Sequence, residues 1–199
     1  MIDFTQLTQQ NVKMSEIARS VSIADLQDAT NRSLDTLFSL IQQANDAMIS
    51  FEPHDPDAHD AYAVAGEEHI GWTLGHLVAH VTASSEEWAA YSSILARGIV
   101  YPREPRLRFE TPWREVDSQA KALQRLEESR QMRLAFLNTW PEQPHLDVHV
   151  ELSERARERW GEMNAMAAFL FGLRHEVGHH QQIREVLRQA QFAQGAASA

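Results

Sequence analysis

Apolar residues recur at intervals of three and four along most of this chain, and that period commits it to helices. Ile23, Leu26, Leu34, Leu37, Phe38, Ile41, Ala44 and Met48 mark the first long segment. Ser22 and Asp25 have the spacing of a capping pair, so this helix is expected from Ser22 to about Ser50. A second helix is expected from about Gly71 to Arg97, with Ile70, Leu77, Val81, Trp88 and Leu95 on one side. Thr111–Pro112 is a good third start, because proline suits the first helical position. Leu123, Leu126, Met132, Phe136 and Leu137 carry that helix to about Thr139, and Pro141 and Pro144 stop it. A fourth spans about Glu162 to Gln191. The SERARERW segment before it is also compatible with helix, with Gly161 as the break.

Glycine and proline number only eight and seven, and they gather in the connections. Residues 51–69 read as a polar loop, and 101–113 as a proline- and arginine-rich connection. HLDVHVEL, 145–152, alternates strictly, with Leu146, Val148, Val150 and Leu152 on one side. Residues 1–21 read as an arm or short helix, and 192–199 as a flexible tail. The expected fold is all-α: one domain over 1–199, an antiparallel four-helix bundle. It has a long connection between helices two and three and a short extended segment before helix four. Such bundles build sites from side chains on facing helices.

Composition narrows the chemistry. The 199 residues include ten histidines and no cysteine. Disulfides, thiolate metal sites and a cysteine nucleophile are therefore excluded, and histidine is left as the best metal ligand. A formal charge of −10 argues against a general nucleic-acid binder. The amino terminus, MIDFTQLTQQ, lacks the basic and apolar regions of a secretory signal. No run reaches bilayer-spanning length, so a cytoplasmic protein without membrane partners is expected.

Three H-x3-H pairs occur: His76/His80, His145/His149 and His175/His179. On a helix, residues four apart differ by about 40°, so two rings share one face and can share a metal. Ala168, Phe171, His179, Gln182 and Val186 fall on the stripe of His175. His180 lies about 140° away, near Arg184, and reads as peripheral. Leu173 and Val177 also fall on that far side, which predicts cover by the amino-terminal arm or by a second subunit in a homodimer. The His80 stripe carries His69, Thr73, His76, Ser84, Glu87 and Tyr91. It is either a solvated face or the edge of a cleft.

Two of these stretches carry a resemblance. WTLGHLVAHV (72–81) is similar to the second-helix motif of the DinB/YfiT-like metalloenzymes. HEVGHHQQI (175–183) is similar to their fourth-helix motif. The resemblance covers about 22–191 and implies a divalent metal held by His80, His175 and His179. His76 stands where a different residue is frequent, which leaves it as fourth ligand, supporting partner or polar neighbour. Zinc or nickel suits such nitrogen ligands. Three protein ligands leave a position open, the catalytic pattern, where a water or a thiol can be activated. Relatives suggest hydrolase or thiol S-transferase chemistry on a small molecule. Without cysteine in the chain, any low-molecular-weight thiol must be a co-substrate. Glu87 and Tyr91 are candidates for acid–base or supporting roles.

Three alternatives stay open at this level. The bundle could bind metal or a partner without catalysis. His145, Asp147 and His149 share one side of an extended segment and could hold the metal instead. His175, Glu176 and His179 also satisfy H-E-x-x-H, the zincin peptidase signature with Glu176 as general base, although a zincin is expected to have a sheet beside that helix. Arg103, Arg106 and Arg108 could meet an anionic substrate or simply be solvated charge.

Overall fold

Ser22 opens the first long helix of the computed structural model, which describes residues 2–10, 12–56, 58–59, 65–102 and 104–197. Its hydroxyl accepts from the Asp25 amide at 3.2 Å, while the Asp25 carboxylate accepts from the Ser22 amide at 2.8 Å. This reciprocal cap begins α3 (Ile23–Ile41), after two short arm helices, α1 (Gln6–Gln9) and α2 (Met14–Ala18). The chain continues through α4 (Asp46–Ile49), α5 (Leu74–Ala96), a 3-10 turn at Trp113–Glu115, α6 (Gln119–Asn138), α7 (Glu154–Trp160) and α8 (Ala165–Ala197). No strand occurs among the described residues, so the expected all-helical bundle is what forms.

Several boundaries move for local reasons. The first helix stops at Ile41 rather than near Ser50. Asn45 caps the separate turn α4 by accepting from the Met48 amide at 3.0 Å. The Gln119 side chain binds the carbonyls of Ile41 and Gln42 at the end of α3 at 3.3 and 3.2 Å. Pro112 precedes only the 3-10 turn, and Ser118, a stronger cap, starts α6 at Gln119. SERARERW forms α7, ended by Gly161 at φ 78°, and α8 begins at Ala165. The tail expected to be flexible continues α8 through Ala197. Residues 145–152 are non-helical and pair with no strand. Their amides at His145 and Val150 donate to Ala96 O and Met163 O at 2.9 and 2.8 Å. Leu146 is exposed while Val150 is buried, so the alternation does not define one apolar side.

Four helices form the bundle, two opposing the other two. Gln27–Asn138 and Arg130–Asp35 contacts run α3 antiparallel to α6. Thr82–Arg125 and the Gly75–Val116 approach run α5 parallel with α6. The long 97–118 connection makes that parallel pair possible. α3 and α5 lie on one diagonal, α6 and α8 on the other. The arm lies over α8: Met14, Ile17 and Ala18 are buried, and Ile2 and Phe4 line a groove with Leu173 and Val177. Leu173 is buried on that side, while Val177 stays exposed. The core has two apolar clusters, one around Leu26, Trp88, Leu137 and Leu170, the other around Leu34, Leu77, Leu126 and Ile183.

Candidate metal centre

Thr73 caps α5 by accepting from the His76 amide at 3.1 Å, which sets where that helix begins its rotation. Two glycines bring α5 close to its neighbours. A Cβ on Gly75 would lie 2.1 Å from Val116 O, and one on Gly172 would lie 2.8 Å from Trp88 Cβ. Gly172 stands one turn before His175, so α5 and α8 nearly touch beside the histidines.

His80 on α5 faces His175 and His179 on α8. His80 Nε2 is 3.2 Å from His175 Nε2, which is 3.4 Å from His179 Nε2. These three are the one group of metal-ligand type found among the described residues, all half-buried, with ligand atoms within 4.8 Å of one another. Zinc–nitrogen bonds of about 2.0–2.1 Å at tetrahedral angles put ligand atoms about 3.4 Å apart. The donor set therefore fits a single divalent ion and leaves a fourth position.

Burial favours the neutral form of the two α8 rings, the form a metal requires. Burial, helped by the neighbouring His179 and His80, pushes His175 down to about 3. Burial also lowers His179, against a bond to Gln182 that raises it. His179 Nδ1 lies 2.8 Å from Gln182 Oε1. With that oxygen accepting, the proton sits on Nδ1 and the lone pair of Nε2 faces the cluster. His80 Nδ1 lies 3.7 Å from Glu110 Oε1, a charge contact, and 3.3 Å from Arg108 NH2. Arg108 binds Glu110 through Nε at 3.0 Å and also reaches the His80 carbonyl at 3.3 Å. Burial raises Glu110, but its bonds to His80 and Arg108 outweigh this and hold it at about 2.

An aromatic stack closes one side. Trp72 packs on His80 with ring centroids 4.6 Å apart and stacks on His76 at 4.5 Å. Trp113 stacks on the other face of His76 at 4.9 Å, and the Arg114 guanidinium covers Trp113 at 4.0 Å. His76 is thus held between two indoles and lies outside the ligand group.

The other expected residues are placed elsewhere. Glu87 is buried, and its carboxylate takes Arg106 Nε and NH2 at 2.8 and 2.5 Å. It lies about 10 Å along α5 from His80, and Tyr91 about 16 Å. Tyr91 packs in the core against Trp88 and Tyr101. Neither reaches the histidines. His180 is off the cluster, as its position on the helix predicts, with Nε2 3.1 Å from Ser33 Oγ. Glu176 is fully buried and paired with Arg133 NH1 at 3.0 Å. Its carboxylate is thereby engaged in the core, so H-E-x-x-H does not supply a general base here. His145 and Asp147 form an exposed pair at 3.7 Å, and His149 joins no ligand group. Of the three arginines, Arg106 and Arg108 are paired as above, and Arg103 lies outside the described residues.

Glu110, Trp72 and Trp113 were not apparent as site residues from sequence. Glu110 sits in a connection with no periodicity, thirty positions from His80. Trp72, immediately before the Thr73 cap, was the readable signal, since aromatic residues entering a helix pack on its first turns.

A helical bundle carrying three convergent imidazoles is compatible with a metal-binding protein. The family follows from the sequence: the model of the DinB superfamily matches residues 29–183, more than half of the 199-residue chain, and the chain belongs to that superfamily. No curated protein and no solved structure matches it. No helix among the described residues is long and apolar enough to cross a membrane.

Proposed function

We propose that this protein is a metal-dependent enzyme acting on a small molecule, with His80, His175 and His179 holding one divalent ion, zinc or nickel. The observation that carries the reading is the 3.2 and 3.4 Å spacing of their Nε2 atoms. A bound ion with an open position supplies Lewis acidity and ionises a water or thiol near neutral pH. Gln182 fixes the tautomer of His179, Glu110 places a negative charge beside His80, and Trp72 shields the rings from bulk water. The chemistry is hydrolysis or transfer to sulfur, the thiol arriving as a co-substrate because the chain has no cysteine.

Elemental analysis of stripped and reconstituted protein tests the site. The expected result is about one ion per chain, lost in His80→Ala and His175→Ala. Equal binding by those variants refutes the assignment. Activity screens with and without a low-molecular-weight thiol separate the two chemistries. Metal that neither exchanges nor supports turnover identifies a non-catalytic bundle instead.

A further inference from the structure

The two apolar clusters of the core are separated by a polar layer to which every long helix contributes. α3 supplies Thr30 and Ser33 between Leu26 and Leu34. α5 supplies Thr82 and Ser85 between Val81 and Trp88. α6 supplies Ser129 and Arg133 between Leu126 and Leu137, and α8 supplies Glu176 between Leu170 and Ile183. All seven are buried, and Arg133 heads the large fully buried side chains. Glu176 is the hub. Arg133 NH1 lies 3.0 Å from Oε2 across the bundle diagonal, Ser33 Oγ donates to Oε1 at 2.5 Å, and Ser85 Oγ reaches Oε2 at 3.5 Å. One carboxylate on α8 is thus held from the three other long helices.

Glu176 immediately follows His175, about 100° further round α8. We infer that Arg133 and Glu176 form a positioning pair that locks the rotation of α8 at the one setting in which His175 and His179 face His80. This rests on the metal-site reading given above. Apolar side chains of suitable volume tolerate small rotations and slides of packed helices. A guanidinium–carboxylate pair does not, because turning α8 by one residue leaves two buried charges unpaired. The same turn carries His175 away from His80. Stability is a poor explanation for the pair, since buried ion pairs are commonly replaced by apolar residues without loss. Its best-attested use is to select one register among several.

The test combines Arg133→Met with Glu176→Leu in the full-length chain. Melting in the metal-free state is expected at or above the wild-type temperature, while Zn(II) affinity falls about 10- to 100-fold. The visible spectrum of the Co(II) form changes as the ligand geometry loosens. A merely structural role would move the melting and leave affinity and spectrum alone. A second readout needs no metal. The chain has no cysteine, so His80→Cys with His175→Cys introduces the only thiols. Their cross-linking by a short dithiol-reactive reagent reports whether α5 and α8 face each other there. Adding Arg133→Met and Glu176→Leu is expected to slow that reaction about tenfold, as the paired rotation loses population. Wild-type absence of metal binding would sink the metal-site reading, and the cross-linking would still decide the positioning role. Unchanged cross-linking overturns it. If the double variant does not fold, Arg133→Lys, which keeps the charge and loses the fork, takes its place: slowed cross-linking supports the pair's role, and a wild-type rate overturns it.

Discussion

Gly172→Ala is the substitution that most directly loads the α5–α8 contact. Its Cβ would lie 2.8 Å from Trp88 Cβ, 3.2 Å from Ser85 Cα and 3.4 Å from Ser85 O. Carbon atoms pack at about 3.5–4.0 Å, so the helices must part by about 0.7 Å, because Ser85 Cα and Trp88 Cβ cannot swing aside. Overpacking of this kind costs about 1–3 kcal/mol. Replacing a mid-helix glycine by alanine returns about 1 kcal/mol. The expected net loss is about 1 kcal/mol, or about 2–4 °C in Tm for a chain of this size. The Ser85 Oγ–Gly172 O bond, 3.2 Å, lengthens as the helices part. His175 stands about 4.5 Å further along α8, so the separation passes to the 3.2 Å His80–His175 spacing. Metal–nitrogen bonds do not stretch by that amount, and Zn(II) affinity is expected to fall at least about tenfold. Urea denaturation of the metal-free protein and a chelator-competition titration measure the two effects. A variant stabilised by about 1 kcal/mol with unchanged affinity would refute the claim that this contact sets the ligand spacing.

Glu110→Ala removes the carboxylate beside His80 Nδ1, and Zn(II) affinity should fall about tenfold in the same titration, with a smaller change in stability. His76→Ala removes two stacked contacts at 4.5 and 4.9 Å, worth about 0.5–1.5 kcal/mol each; urea denaturation should show the loss, while metal stoichiometry stays that of wild type. The metal-free protein should lose stability on mild acidification. His175 titrates near 3 when folded against 6.5 unfolded, and His179 and His180 shift the same way. Below pH 6.5 the unfolded chain therefore takes up protons that the folded chain excludes. That contribution is complete above 6.5 and declines as pH falls. Between pH 6.5 and about 5, before most carboxylates respond, the denaturation midpoint should drop, and His175→Ala should flatten the drop. A flat wild-type profile over that window would contradict the burial of these rings.

Much of the bundle was legible because helices announce themselves locally. The Ser22–Asp25 cap, the threes and fours of Leu34, Leu37 and Ile41, and the shared face of His175 and His179 each involve residues only a few positions apart. The errors have local causes too. Asn45 and Ser118 are caps that competed successfully with the longer periodic pattern, and α8 continues past Gln191 through Gly195 to Ala197. The stripe of Ser84, Glu87 and Tyr91 left a solvated face open as a reading. Those three are buried, while His76 and His80 on the same stripe are half-buried and His69 is exposed, since the 97–118 connection and α8 cover α5 on sides that a single helical wheel cannot show.

From its sequence alone, then, this chain declares four long helices, the absence of thiol ligands, and a histidine pair, His175 and His179, spaced to share a metal; His80 joins them through the family resemblance. Period and capping act over one or two turns, where the chain itself fixes the geometry. Only the tertiary structure decides that α6 runs with α5, that Glu110 rather than Glu87 stands at the site, and that Glu176 turns inward to Arg133. Those outcomes depend on which distant side chains exclude water together, and a buried charge takes whichever partner the packing brings within reach.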